Sequence, residues 1–301
     1  MSERTPSPRS PAAEPRLVLV TGIAGQQGGH VARRLLARGH RVRGLSRTPD
    51  GPRLAELRSL GAEIVAGSFE EPSTVARAAE GVDAMFLMGT PFPGGPASET
   101  RLGIAAIDAA ASAHVPWLVY SSVSDADRRT GIPHFESKFA VEEHLRRSGV
   151  AFAVSAPTAF MENFLAPYQL PSLRRGILAA AVSPDRPVPM VALDDLAGFV
   201  THLLEHPGAY RGQRFNVASD IVTQAGAARL LAKQIGRPIE FQRIPLATLE
   251  AQNPDTAKMF DWFERVGYSA DPDALRRTFP DVGWQRFDAW VARQDWARLL
   301  A

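Results

Sequence analysis

The stretch from Leu17 to Arg47, LVLVTGIAGQQGGHVARRLLARGHRVRGLSR, constrains the fold more than any other part of the chain. An apolar run leads into glycines at 22, 25 and 28, a helical pattern follows, and a second apolar run ends in Ser46 and Arg47. That order predicts strand, glycine-rich turn, helix and strand, the unit that holds a dinucleotide. Gly22 allows the sharp turn out of the strand, Gly25 lets backbone approach a pyrophosphate, and Gly28 lets the helix pack close to the sheet. A helix starting near Gln26 directs its free N–H groups and positive dipole end at the phosphates, with Gln27 in its first turn.

The end of the second strand bears on which dinucleotide. Forms that take NAD place Asp or Glu there to bond the adenine ribose. Here Ser46 and Arg47 occupy the position, with no carboxylate before Asp50. A guanidinium suits a 2′-phosphate, and a charge-assisted contact to it contributes roughly 1.5–3 kcal/mol. The sequence therefore predicts NADP(H) in preference to NAD(H).

Strand and helix patterns continue to alternate. Helices are expected over 52–60, 73–79, 98–113 and 135–148, and strands over 62–66, 84–88, 117–120 and 151–155. This is an α/β chain with a doubly wound parallel (Rossmann) sheet over 16–156. Beyond Pro157 the alternation weakens. Residues 157–301 are expected to form mostly a smaller, aromatic-rich lobe for substrate or partner, with 186–218 partly returning to the sheet. Residues 1–15, rich in Pro, Ser and charge, read as a disordered tail rather than a signal peptide.

Composition narrows the function classes. With 301 residues and 45% hydrophobic content the chain can bury a large core. A formal charge of +2 without a basic block argues against nucleic acid. The absence of cysteine removes disulfides and thiol catalysis. No apolar run is long enough for a membrane span, so a soluble, cytoplasmic protein with no membrane partner is expected. Of the seven histidines only His202 and His206 stand four apart, with no third ligand at metal-site spacing, and no metal is expected. Gly28-Gly29-His30 lacks the Lys-Ser/Thr that a P-loop needs.

Ligands of open α/β sheets collect at the carboxyl ends of the strands. The residues there are Met88, Gly89 and Thr90, then Ser121 and Ser122, then Pro157, Thr158 and Phe160. Lys138 stands out because only three of the 34 Lys and Arg residues are lysines, at 138, 233 and 258. Short-chain dehydrogenases use such a lysine in a Tyr-x-x-x-Lys pair on one helix face. This chain keeps the spacing, with His134 in place of the tyrosine.

Taken together, these motifs resemble the NmrA-like branch of the atypical short-chain dehydrogenase/reductase family. The matching segments are TGIAGQQGGHVARRLLARGHRVRGLSR, VPWLVYSSV, HFESKFAVEEHLRRSGV, PTAFMENF, ALDDLAGFV and GYSADPDALRRTFPDVGWQRFDAWV, in that order. The resemblance implies a Rossmann domain, a small substrate or partner lobe, and NADP binding. It assigns Gly22, Gly25, Gln26, Gln27 and Gly28 to the pyrophosphate loop, Arg47 to the 2′-phosphate and Lys138 to the nicotinamide ribose side. The segment Thr158 to Phe160 would lie along the nicotinamide. Gly67-Ser68 replaces the Gly-Asp pair of many relatives, in a loop bordering the adenine, and this places Ser68 among the cofactor residues.

Two functions of different class follow. One is an NADPH-dependent reductase of a small organic substrate such as a quinone, enone or aromatic intermediate. Lys138, His134 and Ser121 are then the catalytic candidates, and Phe92, Phe160, Met161, Phe164 and Trp262 the apolar pocket. The alternative is a redox sensor that binds NADP(H) without turnover and acts through a regulatory protein partner. A homodimer is compatible with either. Retention of Lys138 and Ser121 favours the reductase.

Overall fold

A computed structural model describes residues 14–301. The disordered tail expected over 1–15 lies outside the described residues except for Glu14 and Pro15. The strands are β1 (Leu17–Val20), β2 (Arg41–Ser46), β3 (Glu63–Ala66), β4 (Ala84–Met88), β5 (Leu118–Ser121), β6 (Phe152–Pro157), β7 (Ala159–Phe160), β8 (Ile177–Ala180), β9 (Val188–Val191), β10 (Arg214–Val217), β11 (Asp220–Val222) and β12 (Glu240–Arg243). The helices are α1 (Gln26–Ala37), α2 (Ala55–Ser59), α3 (Pro72–Ala79), α4 (Gly95–Ser112), α5 (Pro133–Arg147), α6 (Leu170–Arg174), α7 (Leu193–Glu205), α8 (Gln224–Ile235), α9 (Leu246–Gln252), α10 (Pro254–Arg265), α11 (Pro272–Thr278), α12 (Phe287–Ala292) and α13 (Trp296–Leu299).

Seven strands form one parallel sheet in the order β10-β6-β5-β4-β1-β2-β3. The order reverses between β1 and β4, which makes the crevice where α/β sheets take ligands. Side chains alternate along each strand, so both faces are apolar and both must be covered. Val18 and Val20 share a core with Val31 and Leu35 of α1 and Leu196 and Leu203 of α7. Leu17 and Leu19 point the other way, into a core with Val75 of α3, Ile107 of α4 and Leu145 of α5. Each buried Val or Leu contributes roughly 1.5–3 kcal/mol, so covering both faces commits the chain to the doubly wound fold.

Prolines set several helix starts. Pro72, Pro133, Pro254 and Pro272 each stand first in their helix, where a missing N–H costs nothing. The helix expected over 135–148 consequently begins two residues earlier, and His134 falls inside its first turn. The helix expected over 52–60 is a 3-10 turn, Pro52–Leu54, running into the short α2.

Residues 186–218 divide. Arg214–Val217 pairs with β6 and closes one edge of the main sheet. Val188–Val191 instead lies between β7 and β11 in a separate three-stranded sheet. Glu162 receives the Leu193 N–H at 3.1 and 3.2 Å, so a carboxylate caps the start of α7. A third apolar core, including Phe135, Phe164, Trp262, Trp290 and Trp296, fills the C-terminal part and reaches α5. No helix among the described residues is long and apolar enough to cross a membrane.

Candidate functional site

The glycine turn closes on itself through the Gly25 N–H, which donates to the Gly22 carbonyl at 2.9 Å. Gly22 has φ +61°, and a Cβ on it would lie 2.4 Å from Met88 Sδ. A Cβ on Gly28 would lie 2.4 Å from the Gly22 carbonyl oxygen and 2.7 Å from that of Thr21. The close approach of helix and strand thus depends on glycine at 28. Thr21 Oγ1 accepts the Met88 N–H at 2.9 Å and donates to Phe86 O at 3.2 Å, joining β1 and β4 where the strand order reverses. Helix α1 starts behind Gly25 with no side-chain cap and no acid in its first turn. Its orphan N–H groups and dipole are therefore left for an anion.

Around this turn the structure gathers several candidates. Ser121, almost fully buried, donates its hydroxyl to Gln27 Oε1 at 2.6 Å and ties α1 to the end of β5. That hydroxyl proton is committed to holding the loop, and the Gln27 amide N–H groups remain. Ser46 accepts the Thr48 N–H at 3.2 Å. Arg47 is exposed beyond β2 and makes no ion pair among the described residues. Asp50, the next acid along the chain, pairs with Arg58 at 3.1 Å and not with Arg47. Ser68 stands at the end of β3 in a turn closed by its N–H to Thr74 Oγ1, 3.0 Å. Thr90 Oγ1 accepts the Phe92 N–H at 3.3 Å.

Lys138 reaches the same strand ends from α5. Its ammonium donates to Gly89 O at 3.2 Å and lies 2.8 Å from Glu99 Oε1 on α4. Glu99 is buried, and its other oxygen accepts from Ser137 Oγ at 2.6 Å. The lysine lies off the line of a hydrogen bond to Oε1, which has no directed donor. His134, one turn earlier, places Nδ1 2.6 Å from Asp255 Oδ1 on α10. Sequence reasoning missed both Glu99 and Asp255. Glu99 is the one acid in the first three turns of an Ala-rich helix whose neighbouring residues are small, a weak cue in hindsight. Asp255 lies 121 residues from its partner, and nothing local marks it.

Other expectations need correction. The Thr158 N–H and Oγ1 both donate to Val217 O, at 3.0 and 3.1 Å. Its polar groups therefore hold β10 to the sheet. Pro157, buried, ends β6, and Phe160, half-buried, packs against the core shared by α1 and α7. Of the pocket aromatics, Trp262 is packed among Phe135, Phe263 and Tyr268. Phe164 packs on Phe287 and Trp290. Both are buried, as is Met161, because the lobe needs an apolar core of its own. Phe92, at 71% exposure, stands out on the loop after β4.

A buried polar network supports the loop after Ser121. Ser122 Oγ donates to Glu142 Oε1, and Arg214 Nε donates to Glu142 Oε2 at 3.0 Å. Burial pushes the Glu142 carboxyl up, against the opposing pull of Arg214. Arg214 also donates to Val123 O at 2.7 Å and Asn216 Oδ1 at 2.5 Å. Asp125, fully buried with φ +60°, accepts the Ser269 N–H at 2.8 Å and the Ser269 hydroxyl. These contacts bind β5, α5, β10 and the segment before α11 into one frame. Asp195 at the start of α7 joins it to the C-terminal region, accepting from Ser219 Oγ at 2.6 Å and from the Gln285 N–H at 2.8 Å.

The sequence profile of the NmrA-like family matches residues 14–290. The chain belongs to the NmrA-like family. Among curated relatives, a (4-alkanoyl-5-oxo-2,5-dihydrofuran-3-yl)methyl phosphate reductase of Streptomyces griseus is 32% identical over 76% of this chain and 77% of its own length. The NmrA-like oxidoreductase FrzB of Cladobotryum is 31% identical over 68% of this chain and 69% of its own. Among solved structures, the NADPH complex of the Escherichia coli quinone oxidoreductase QOR2 superposes with TM-score 0.77, at 20% identity, over 92% of this chain and 98% of the other. NmrA, described as a negative transcriptional regulator in complex with NADP, superposes with TM-score 0.76, at 18% identity, over 94% and 99%.

Proposed function

We propose that this NmrA-like protein is an NADP(H)-dependent reductase of a small organic acceptor, with quinones, enones and aromatic intermediates as the substrate class. The observation that carries the reading is the uncapped, acid-free start of α1, packed on Gly22, with the unpaired Arg47 beyond the adjacent strand. Relatives 32% and 31% identical over 77% and 69% of their lengths are named reductase and oxidoreductase, which supports the same activity.

In this reading the N–H groups of Gln26, Gln27 and Gly28 hold the pyrophosphate, and Arg47 meets the 2′-phosphate. When bound, NADPH would supply a hydride, which carries both electrons of the reduction. The chain supplies orientation and exclusion of water. Lys138, with one N–H donated to Gly89 O and its charge paired with Glu99, keeps N–H groups to position the ribose or the acceptor.

The test follows NADPH absorbance over a panel of quinones and enones, with wild type and Lys138→Ala. The expected result is turnover with at least one acceptor and a loss of roughly 10- to 100-fold in Lys138→Ala. Tight NADPH binding without turnover on any acceptor, together with a protein captured in one cofactor state only, would replace the reductase with the sensor.

A further inference from the structure

His134 and Asp255 form a pair that the fold has to assemble from two distant segments. His134 stands in the first turn of α5 and Asp255 in the first turn of α10, with Nδ1 to Oδ1 at 2.6 Å. Both side chains are largely shielded, at 21% and 25% exposure. Asp255 is not needed to cap its own helix, because Asn253 Oδ1 already accepts the Thr256 N–H at 3.2 Å. Phe135 meets the imidazole edge to face at 4.9 Å, and is itself held by Trp262 and Tyr268. The ring is therefore fixed from two sides. Its other nitrogen, Nε2, has no hydrogen-bond partner among the described residues.

One turn along α5, Lys138 is already bound to a carboxylate and a strand-end carbonyl. An ammonium held in this way is placed to orient a ligand. The imidazole is held differently, with Nδ1 facing a carboxylate. The carboxylate selects the tautomer and leaves Nε2 free to meet an acceptor. The same division holds in sequence: His134 occupies the position at which a phenol would precede the lysine by four residues.

We propose that Asp255 is the positioning residue for His134, and that His134 Nε2–H delivers the proton that completes reduction of the acceptor. The inference rests on the reductase reading above. The balance is one hydride and one proton per acceptor. The hydride for the new C–H bond would come from bound NADPH, which would become NADP+. The π electron pair of the acceptor moves to its other atom, which takes the proton from Nε2. His134 is left neutral with Nδ1–H on Asp255, and regains a proton from solvent. The C-terminal segment, through α10, thereby completes a catalytic pair begun on the Rossmann helix.

Two measurements test this. Heteronuclear NMR of the ring nitrogens in the cofactor-free protein should show neutral His134 as the Nδ1–H tautomer, with Asp255→Ala moving it toward Nε2–H. In steady-state kinetics Asp255→Ala should lose roughly 10- to 100-fold in kcat, with KM and Kd for NADPH within about twofold of wild type and Asp255→Glu recovering part of the loss. Asp255→Asn, which preserves the shape, should fall with Asp255→Ala in kcat. An Nε2–H tautomer in the wild type, or unchanged kcat in correctly folded Asp255→Ala and Asp255→Asn, would overturn the proposal. Failure of the wild type to oxidise NADPH with any acceptor would instead strike the reductase reading, and the tautomer measurement separates the two failures.

Discussion

The turn after β1 and the contacts around α5 lie at the same end of the sheet, yet they are built on different principles. The turn is made of backbone. Gly22, Gly25 and Gly28 bring main-chain groups together within one short segment, and α1 exposes its own N–H groups. Around α5 the work falls to side chains on separate elements: Lys138 with Glu99, His134 with Asp255, Glu142 with Arg214, and Asp125 with Ser269. The first kind of site is encoded by spacing. The second exists only once the chain has folded, and it supplies the charge that a bare cofactor cradle lacks. The backbone turn is thus a local feature, and the side-chain pairs are a product of the tertiary fold.

Removing a member of a buried pair should give the largest effect. Glu142→Ala leaves Arg214 inside the frame with less compensation and should cost about 3 kcal/mol by chemical denaturation. A loss below about 1 kcal/mol would mean that Asp127, 3.3 Å from Arg214, takes over the charge. Gly28→Ala attacks the other construction. Its methyl would strike the Gly22 carbonyl, and a cost of ~2–3 kcal/mol is expected, together with at least a tenfold weaker NADPH affinity. Wild-type affinity in this variant would show that the turn tolerates a wider gap between α1 and β1.

Glu205, at the end of α7, separates pairing for stability from pairing for chemistry. Burial pushes its carboxyl up, but hydrogen bonds from His40 and Arg38 more than reverse this and leave it at about 2 instead of 4.5. A depressed acid stabilises the fold above its unfolded value and loses that contribution as pH falls toward the folded one. Unfolding free energy should therefore drop between about pH 4.5 and pH 2, by about 2 kcal/mol once the half-exposed Arg38 is discounted. Glu205→Gln should flatten this limb without changing NADPH binding. A smaller effect is expected at Thr158, where Thr158→Val removes one buried hydrogen bond to Val217 O. A loss of about 1 kcal/mol with unchanged NADPH affinity is expected. A clear loss of affinity would restore Thr158 to the cofactor.

The same contrast explains what could be read from the sequence. The alternation of apolar runs with helical patterns located six of the seven parallel strands, because a sheet covered on both faces leaves continuous apolar runs. The glycine spacing marked the turn, and the scarcity of lysine marked Lys138. Glu99, Asp255 and Asp195 left no such trace, since a single chain does not say which acid meets a partner 38, 121 or 90 residues away. The pocket aromatics failed for another reason. Trp262 and Phe164 suit a ligand wall and a core equally by type, and the C-terminal lobe used them as core. Val188–Val191 has the apolar run of a sheet strand but pairs with β7 and β11, because pairing partners are set by the path of the chain and not by the run itself.

Calorimetric titration of the purified protein with NADPH and with NADH, repeated for Arg47→Asp, tests the central claim most directly. The account predicts NADPH binding at least tenfold tighter than NADH, corresponding to about 1.4 kcal/mol or more, and a reversed preference in Arg47→Asp. No heat with NADPH at millimolar concentration, or equal affinity for the two in wild type, would contradict it.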